Sequence, residues 1–553
     1  MIKRVRVVSC LALWALLPPL AGAGEAACAT AHPEATAACI EILEVGGNAV
    51  DAAVAASAAL AVVEPTGSGL GGGGFWLVHR TAENHNLFVD GRETAPLAAR
   101  PEQYLDADGT PLPERSLTGA LAAGIPGEPA ALVHLAERYG RLPLARSLAP
   151  SVRLAAAGFV VDADLAEAFE THWPRFSEGA KATFAIDGRA PRKGERLLQP
   201  DLARLLTALG VEGHDAFYSG PFAQRLVEGV RAAGGHWQMA DLRHYAVRER
   251  VPLEFHFRDA RVVSSPPPSA GGIALAQIFG QLEALGVALP LDDAGRHLLV
   301  ESMRRAYRDR AAWLGDPDQV FVPQQQLTAH VTTRRMAAGI NRDRATPSAD
   351  LEPAVPSPEG NNTTHLSVLD AEGNRVAATL SINIPFGAAM VVPGTGILLN
   401  DELDDFAMST TASNVYGLIG SRPNLIAPGK RPLSSMTPTF VESPRGLLIL
   451  GTPGGSRIIT MVALGILEWL GGGDVEAVVS AGRFHHQYLP DVVQVEPQGL
   501  DAAQQEALTA RGHALKPVGR RYGDMQAVSV DAAGVRAASD PRGIGLAQVL
   551  QVP

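Results

Sequence analysis

Between residues 340 and 383 the chain changes character within a few positions, and this change restricts the fold more than any other feature of the sequence. From Ile340 to Gly360, Pro347, Pro353, Pro356 and Pro358 stand among acids and serines, and no apolar period is available for burial. At Asn361-Asn362-Thr363-Thr364-His365-Leu366-Ser367 the pattern switches to period two. Thr363, His365 and Ser367 share one face and Thr364, Leu366 and Val368 the other, as in a strand. Asp370-Ala371-Glu372-Gly373-Asn374 turns the chain into a second alternating run, Arg375 to Asn383. There Val376, Ala378, Leu380 and Ile382 oppose Thr379, Ser381 and Asn383. This polar face suits a reaction cleft, and suits equally the solvent side of an ordinary hairpin. A slack tract running into a threonine that opens a strand marks a place to cut the chain, although a β-branched residue opening a strand accounts for this stretch taken alone.

The flanking regions read as alternating helices and strands. Glu34 to Val45 is helical, with Gly46-Gly47 as its stop. Asn48 caps a second helix, buried on nearly every side and running to Val63. The cluster Gly67-Ser68-Gly69-Leu70-Gly71-Gly72-Gly73-Gly74 leads into the strand Phe75-Trp76-Leu77-Val78. No Gly-Lys-Ser/Thr follows, and the order is helix to strand, which disfavours a phosphate loop and leaves close backbone packing. After the strand Leu87 to Asp90, a turn carries Arg92. Helices are expected over Glu128 to Tyr139, Leu144 to Ala157, Asp201 to Leu209 and Pro221 to Ala233, then to Leu285 and over Arg296 to Trp313. To these we assign scaffold roles only. A buried strand, Leu447 to Gly451, runs through Thr452-Pro453-Gly454-Gly455-Ser456-Arg457 into an apolar helix ending at Leu470. Such a turn aims free amides and the positive helix end at one point, as an oxyanion hole does, or serves simply as a tight connection. Asn400 to Phe406 packs Asp401, Glu402, Asp404 and Asp405 together, a solvated loop unless a cation sits there. His485-His486 are adjacent rather than at ligand spacing and read as structural, so no metal or cofactor is expected. A strand from Val492 to Glu496, a helix near Asp501 to Arg511 and a hairpin at Asp531 to Gly534 close an α/β layer.

The 553 residues carry 58 acids against 47 bases, and no basic stripe is present, so nucleic acid is not an expected partner. Lys3, Arg4 and Arg6 precede an apolar run to Leu20 and then Ala21-Gly22-Ala23, the layout of a secretory signal over residues 1–23. No later stretch reaches the roughly 18 apolar residues of a span. A secreted protein, periplasmic or extracellular, is expected. Export permits a disulfide between Cys28 and Cys39, but a buried thiol is the reading for Cys39.

Taken together, Gly71-Gly72-Gly73-Gly74-Phe75, Gly91-Arg92-Glu93-Thr94-Ala95-Pro96, Asn362-Thr363-Thr364-His365, Gly396-Ile397-Leu398-Leu399-Asn400, Asp404-Asp405-Phe406, Arg431-Pro432-Leu433-Ser434-Ser435-Met436 and Pro453-Gly454-Gly455-Ser456-Arg457 form a co-linear set that resembles the γ-glutamyltransferases. The resemblance implies an α/β fold, the four-layer αββα sandwich of the N-terminal nucleophile hydrolases. It also implies a precursor that cuts itself between Asn362 and Thr363 into a large subunit, 24–362, and a small catalytic subunit, 363–553, which stay together. Thr363 would be the nucleophile, Ser381 its support, and Gly454 and Gly455 the oxyanion donors. Arg92, Ser434 and Ser435 would hold the α-carboxylate of a γ-glutamyl group, and Asn383, Glu402 and Asp405 its ammonium. Tyr416 would belong to a lid loop. Ser381 stands where the family has threonine, and Asp401 where it usually has asparagine. The expected substrates are glutathione and other γ-glutamyl compounds, with water, amino acids or peptides as acceptors. Two alternatives remain: a glutaryl or β-lactam acylase of the same fold, and an uncut protein that only binds γ-glutamyl peptides.

Overall fold

The computed structural model describes residues 24–351, 363–408 and 422–552. Asn362 and Tyr416 therefore lie outside the described residues.

Two antiparallel sheets form the centre. The first, of seven strands, runs in the order Leu546–Gln551, Glu25–Thr30, Thr364–Leu369, Arg375–Ser381, Gly73–Arg80, His85–Gly91, Arg248–Arg250. The second, of six strands, runs Gly534–Ser539, Gln526–Asp531, Gly446–Gly451, Thr439–Ser443, Ala260–Ser264, Leu253–Phe257. Leu366, Val368, Val376, Ala378 and Leu380 point away from the second sheet, into a core shared with the helices Pro33–Glu44, Ala49–Val63, Glu128–Tyr139 and Leu144–Ala157. The opposite faces of both sheets join a second core, closed on its far side by the helices Gly271–Leu285, Asp293–Trp313 and Ile458–Leu470. The result is the αββα sandwich.

The alternation expected for the 363–383 hairpin is present, with Thr379 opposite His365 and Ala377 opposite Ser367. Its polar face does not meet solvent. The Ser367 hydroxyl donates 3.0 Å to the Gln526 carbonyl across the sheets, and a Cβ on Gly451 would collide with the His365 ring. The sandwich buries both faces of every central strand, so period two here separates two cores instead of core from water. The glycine cluster serves close packing. A Cβ at Gly71 would strike the Leu398 carbonyl, and one at Gly72 the Ser381 carbonyl, so glycine alone lets the 73–80 strand lie against the segment carrying the acids.

Four sequence expectations change. Cys28 and Cys39 are joined in a disulfide, because strand Glu25–Thr30 returns directly into helix Pro33–Glu44 and brings the two residues together. The first part of the proline-rich tract is tied down: the Ser348 amide donates 2.7 Å to Asp491, and the Ala345 amide 2.7 Å to the Arg511 carbonyl. Polar anchors achieve there what an apolar period would otherwise do. Residues 493–495 do not extend the main layers but form a separate small sheet with Phe484–His485 and Leu515–Pro517. Finally, the helix Asp293–Trp313 is more than scaffold, since Arg310 on it lines the cleft described next. Among the described residues, no helix is long and apolar enough to cross a membrane.

Candidate active site

Strand Thr364–Leu369 begins one residue after Thr363, so the backbone pairing of the sheet fixes where the Thr363 hydroxyl sits. That hydroxyl lies 3.4 Å from the hydroxyl of Ser381, at the far end of the neighbouring strand. Ser381 Oγ in turn accepts the Asn383 amide at 2.8 Å. Asn383 has φ of 79°, a left-handed conformation that asparagine tolerates better than most residues. Its side-chain amide donates 3.0 Å to the Asp401 carbonyl, which fixes the ring of groups around the hairpin end.

Thr363, Ser381 and Asn383 line one side of a narrow cleft. Arg92, Arg310, Asp405, Ser434, Ser435 and Gly455 line the rest. Gly454 precedes Gly455 at a sharp corner with φ of 135°, where a Cβ would sit 2.6 Å from Met461. From this corner a 3₁₀ turn, Gly455–Arg457, leads straight into helix Ile458–Leu470. The first amides of such an element have no partner within it, and the helix dipole stands behind them. The geometry therefore suits developing negative charge next to the Thr363 hydroxyl.

Arg92, Glu93 and Glu402 are buried, and Asp405 is partly exposed. Arg92, 1% exposed, pairs with Glu402 at 2.7 Å, Asp405 at 2.5 Å and Glu93 at 3.6 Å. Burial works against the charge on Arg92, but Glu402, Glu93 and Asp405 outweigh it and hold its pKa above the usual value. Burial pushes Glu402 well above the ordinary carboxylate range, with Arg92 pulling back and Glu93 and Asp405 adding to the rise. Burial likewise lifts Glu93 to about 8 and Asp404 to about 7. Three carboxyls thus surround one buried guanidinium, which keeps the arginine charged while burial raises Glu402 and Glu93. Arg310, in the same cleft, also acts on Asp405 through its charge. On the other side, Ser434 Oγ accepts the Met436 amide at 3.1 Å and Ser435 Oγ accepts Arg310 at 3.0 Å.

The family model for gamma-glutamyltranspeptidase matches residues 35–550. The chain belongs to the γ-glutamyltranspeptidase family. It is 40% identical over 502 residues to the glutathione hydrolase proenzyme of Pseudomonas sp. (strain A14), covering 89% of this chain and 86% of that one. It is 39% identical over 528 residues to the glutathione hydrolase proenzyme of Escherichia coli (strain K12), covering 93% and 90%. Among solved structures, a cephalosporin acylase from Bacillus halodurans superposes with a TM-score of 0.84 at 27% identity, over 98% of this chain and 99% of that one. The γ-glutamyltranspeptidase of Helicobacter pylori superposes with a TM-score of 0.56 at 32% identity, over 64% of this chain and 97% of that one.

Of the site residues expected for a γ-glutamyltranspeptidase, Thr363, Ser381, Arg92, Asn383, Asp405, Ser434, Ser435 and Gly455 meet in one cleft. Glu402 stands behind Arg92, and Gly454 forms the corner behind Gly455. Arg310 was missed, because in sequence it is one more basic residue in a helix rich in arginine. His485 and His486 are buried and structural in setting: His485 bonds Thr460 and Gln487, and His486 bonds Asp491 and the Tyr488 amide. Among the described residues no group of three or more His, Cys, Asp or Glu is placed to hold a metal ion.

Proposed function

We propose that the chain works as a self-processing γ-glutamyltransferase in which Thr363 performs both the cut and the later chemistry. In the precursor, Thr363 Oγ attacks the Asn362 carbonyl, and the peptide bond becomes an ester that water opens. Two fragments result, 24–362 and 363–553, and Thr363 gains a free α-amine. An α-amine has a reference pKa of about 7.7 to 8.0, so part of it is neutral near pH 7 and can take the proton of its own hydroxyl. Thr363 Oγ then attacks the γ-carbonyl of a donor such as glutathione, with the amides of Gly454 and Gly455 receiving the oxyanion. The leaving amine departs with a proton, and the γ-glutamyl group stays as an ester on Thr363. Water, or the amine of an amino acid or peptide, resolves that ester. Losing one oxyanion donor typically costs about 10²- to 10³-fold in rate.

Recognition of the donor follows from charge. Arg92, Ser434 and Ser435 take its α-carboxylate, while Asn383, Glu402 and Asp405 take its ammonium. The observation that carries the reading is that Arg92, with the three acids Glu93, Glu402 and Asp405 around it, stands at the cleft holding the Thr363 hydroxyl. A donor ammonium meets its countercharge in these acids. A glutaryl acyl group has no ammonium for them to bind, which places the acylase reading second. The opening 23 residues point to export, with the working enzyme periplasmic or extracellular.

Intact mass of purified wild-type protein beside Thr363→Ala tests the cut. Two fragments summing to the mature chain are expected for the wild type, and a single uncut chain with no release of p-nitroaniline from γ-glutamyl p-nitroanilide for the variant. An uncut wild type would overturn the reading. Faster turnover of a glutaryl anilide than of the γ-glutamyl one would favour the acylase.

A further inference from the structure

Helix Asp293–Trp313 reaches the cleft from behind through two side chains one turn apart. The Tyr307 hydroxyl donates to the Ser456 carbonyl, in the turn that carries Gly455. Arg310, 4% exposed, lines the cleft and donates from Nη2 to Ser435 Oγ at 3.0 Å.

A serine hydroxyl has one proton and two lone pairs, whereas a guanidinium only donates. Where Arg310 meets Ser435 the hydroxyl must accept, so its own proton is turned away from the arginine. At Ser434 the Met436 amide acts in the same way, donating 3.1 Å to Oγ. Both serines line the cleft, and each has a lone pair occupied from behind by an N–H. Each hydroxyl is therefore set beforehand as a donor, and an ionised carboxylate can only accept. The backbone supplies that orientation for Ser434, and a side chain on a distant helix supplies it for Ser435.

We propose that Arg310 is a positioning residue for the donor's α-carboxylate, acting through the Ser435 hydroxyl and adding a second buried positive charge on that side of the cleft. The inference rests on the assignment of Ser434 and Ser435 to the α-carboxylate. Arg92 alone is a poor anchor for that group, because Glu402 and Asp405 already flank its guanidinium at 2.7 and 2.5 Å. Arg310 meets the Ser435 hydroxyl directly, and Asp405 across the cleft acts on it through its charge. Once a donor binds, Ser435 passes this polarisation on: its proton points to the carboxylate and its oxygen to the arginine.

The test uses the self-cut enzyme and two donors, γ-glutamyl p-nitroanilide and 4-aminobutyryl p-nitroanilide, which lacks the α-carboxylate. Arg310→Met should raise KM for the first about 10- to 100-fold, the range for a lost charge-assisted contact, with kcat changed less than about threefold. On the second donor kcat/KM should stay within about twofold, and Arg310→Lys should recover part of the loss, since an ammonium still donates. Adding Arg310→Met to Ser435→Ala should change KM little further, because both act on one contact. An equal loss on both donors, or full additivity with Ser435→Ala, would show a merely structural role and overturn the inference. If Arg310→Met does not fold and cut itself, Arg310→Lys carries the test: a KM shift confined to the γ-glutamyl donor supports the inference, and an equal shift on both, or none, overturns it. The underlying assignment fails separately, when Ser435→Ala leaves KM for the γ-glutamyl donor unchanged. When Ser435→Ala acts and Arg310→Met does not, the inference alone falls.

Discussion

Arg92 and Arg304 are both buried among carboxylates, in different parts of the molecule, and they are answered differently. Arg304 bonds Glu301 at 3.2 Å, the Ser348 hydroxyl at 2.6 Å, and Asp491. The acids around it are satisfied in turn: Asp491 also accepts the Ser348 amide and His486, and Glu301 also accepts Arg305 and the Thr346 amide. Burial would raise Asp491, but His486, the Ser348 amide and Arg304 hold it below the usual carboxylate value. Glu301 is held down likewise, by Arg304, Thr346 and Arg305 against burial. Around Arg92 the shifts run the other way, with Glu402 and Glu93 pushed up. One cluster is electrostatically complete, and fastens the chain ahead of Thr363 to the 486–491 loop. The other sets three acids around one arginine beside the cleft, where the proposed function places the donor's ammonium. Buried ion clusters with depressed carboxyls thus read as fasteners, and those with raised carboxyls at a cleft as sites.

The largest effect that would break this contrast is on stability. Arg304→Gln leaves ionised acids facing no arginine at that position, and should cost about 3 kcal/mol, the lower end for breaking a buried pair, because Arg305 still faces Glu301. Urea unfolding of the cut enzyme measures it, and the folded fraction should keep near-normal kcat. A loss of activity without a loss of stability would remove the distinction between the two clusters.

Arg92→Gln should behave in the opposite way. Burial already raises Glu402 and Glu93, so the fold loses little, while kcat/KM for γ-glutamyl p-nitroanilide should fall about 10- to 100-fold, or about 1.5 to 3 kcal/mol. A unfolding midpoint shifted as far as that of Arg304→Gln would show that Arg92 is a fastener too.

How much of this contrast is visible without coordinates depends on the residue. The hairpin 363–383, the helix caps and the strand-glycine-helix turn follow from local periodicity and turn chemistry, and the structure keeps the capping of Ala49–Val63 by Asn48, including the reciprocal Asp51 contact. Thr363, Arg92 and the serine pair stood out as candidates because each sits in a short motif in the same order as in a known family, and the structure gathers them in one cleft. Arg304 and Arg310 were not. They lie six residues apart on one helix, among Arg305 and Arg308, and only the packing of that helix against residues 348, 435 and 491 gives each its role. The disulfide was missed for the same reason, since spacing alone does not say that Cys28 and Cys39 face each other.

The two clusters should also oppose each other in pH dependence. A carboxyl whose folded pKa is depressed stabilises the fold above its unfolded pKa, and this is lost as pH falls through the folded value. Asp491→Asn should therefore cost about 1 kcal/mol at pH 7, modest because the carboxylate is more than a third exposed. The difference from wild type should shrink as the pH falls below about 4. An unfolding midpoint difference independent of pH between 3 and 7 would show that Asp491 acts by packing, not charge.

The smallest effect is expected beside the site, at Glu128, which is fully buried at the start of helix Glu128–Tyr139. Burial raises its pKa to about 8, with only a backbone contact from Gly69 in opposition. The folded protein thus keeps a proton that the unfolded chain releases above its ordinary carboxylate pKa of about 4.5, so folding is progressively disfavoured as pH rises from there to about 8. Glu128→Gln removes that penalty and keeps the shape, although burying the amide gives back part of the gain. The variant should melt at the wild-type temperature at pH 5 and about 1 to 2 °C higher at pH 8.5. A variant that melts lower than wild type at pH 8.5 would mean the carboxyl is ionised and answered, which would make Glu128 a fastener of the Arg304 kind.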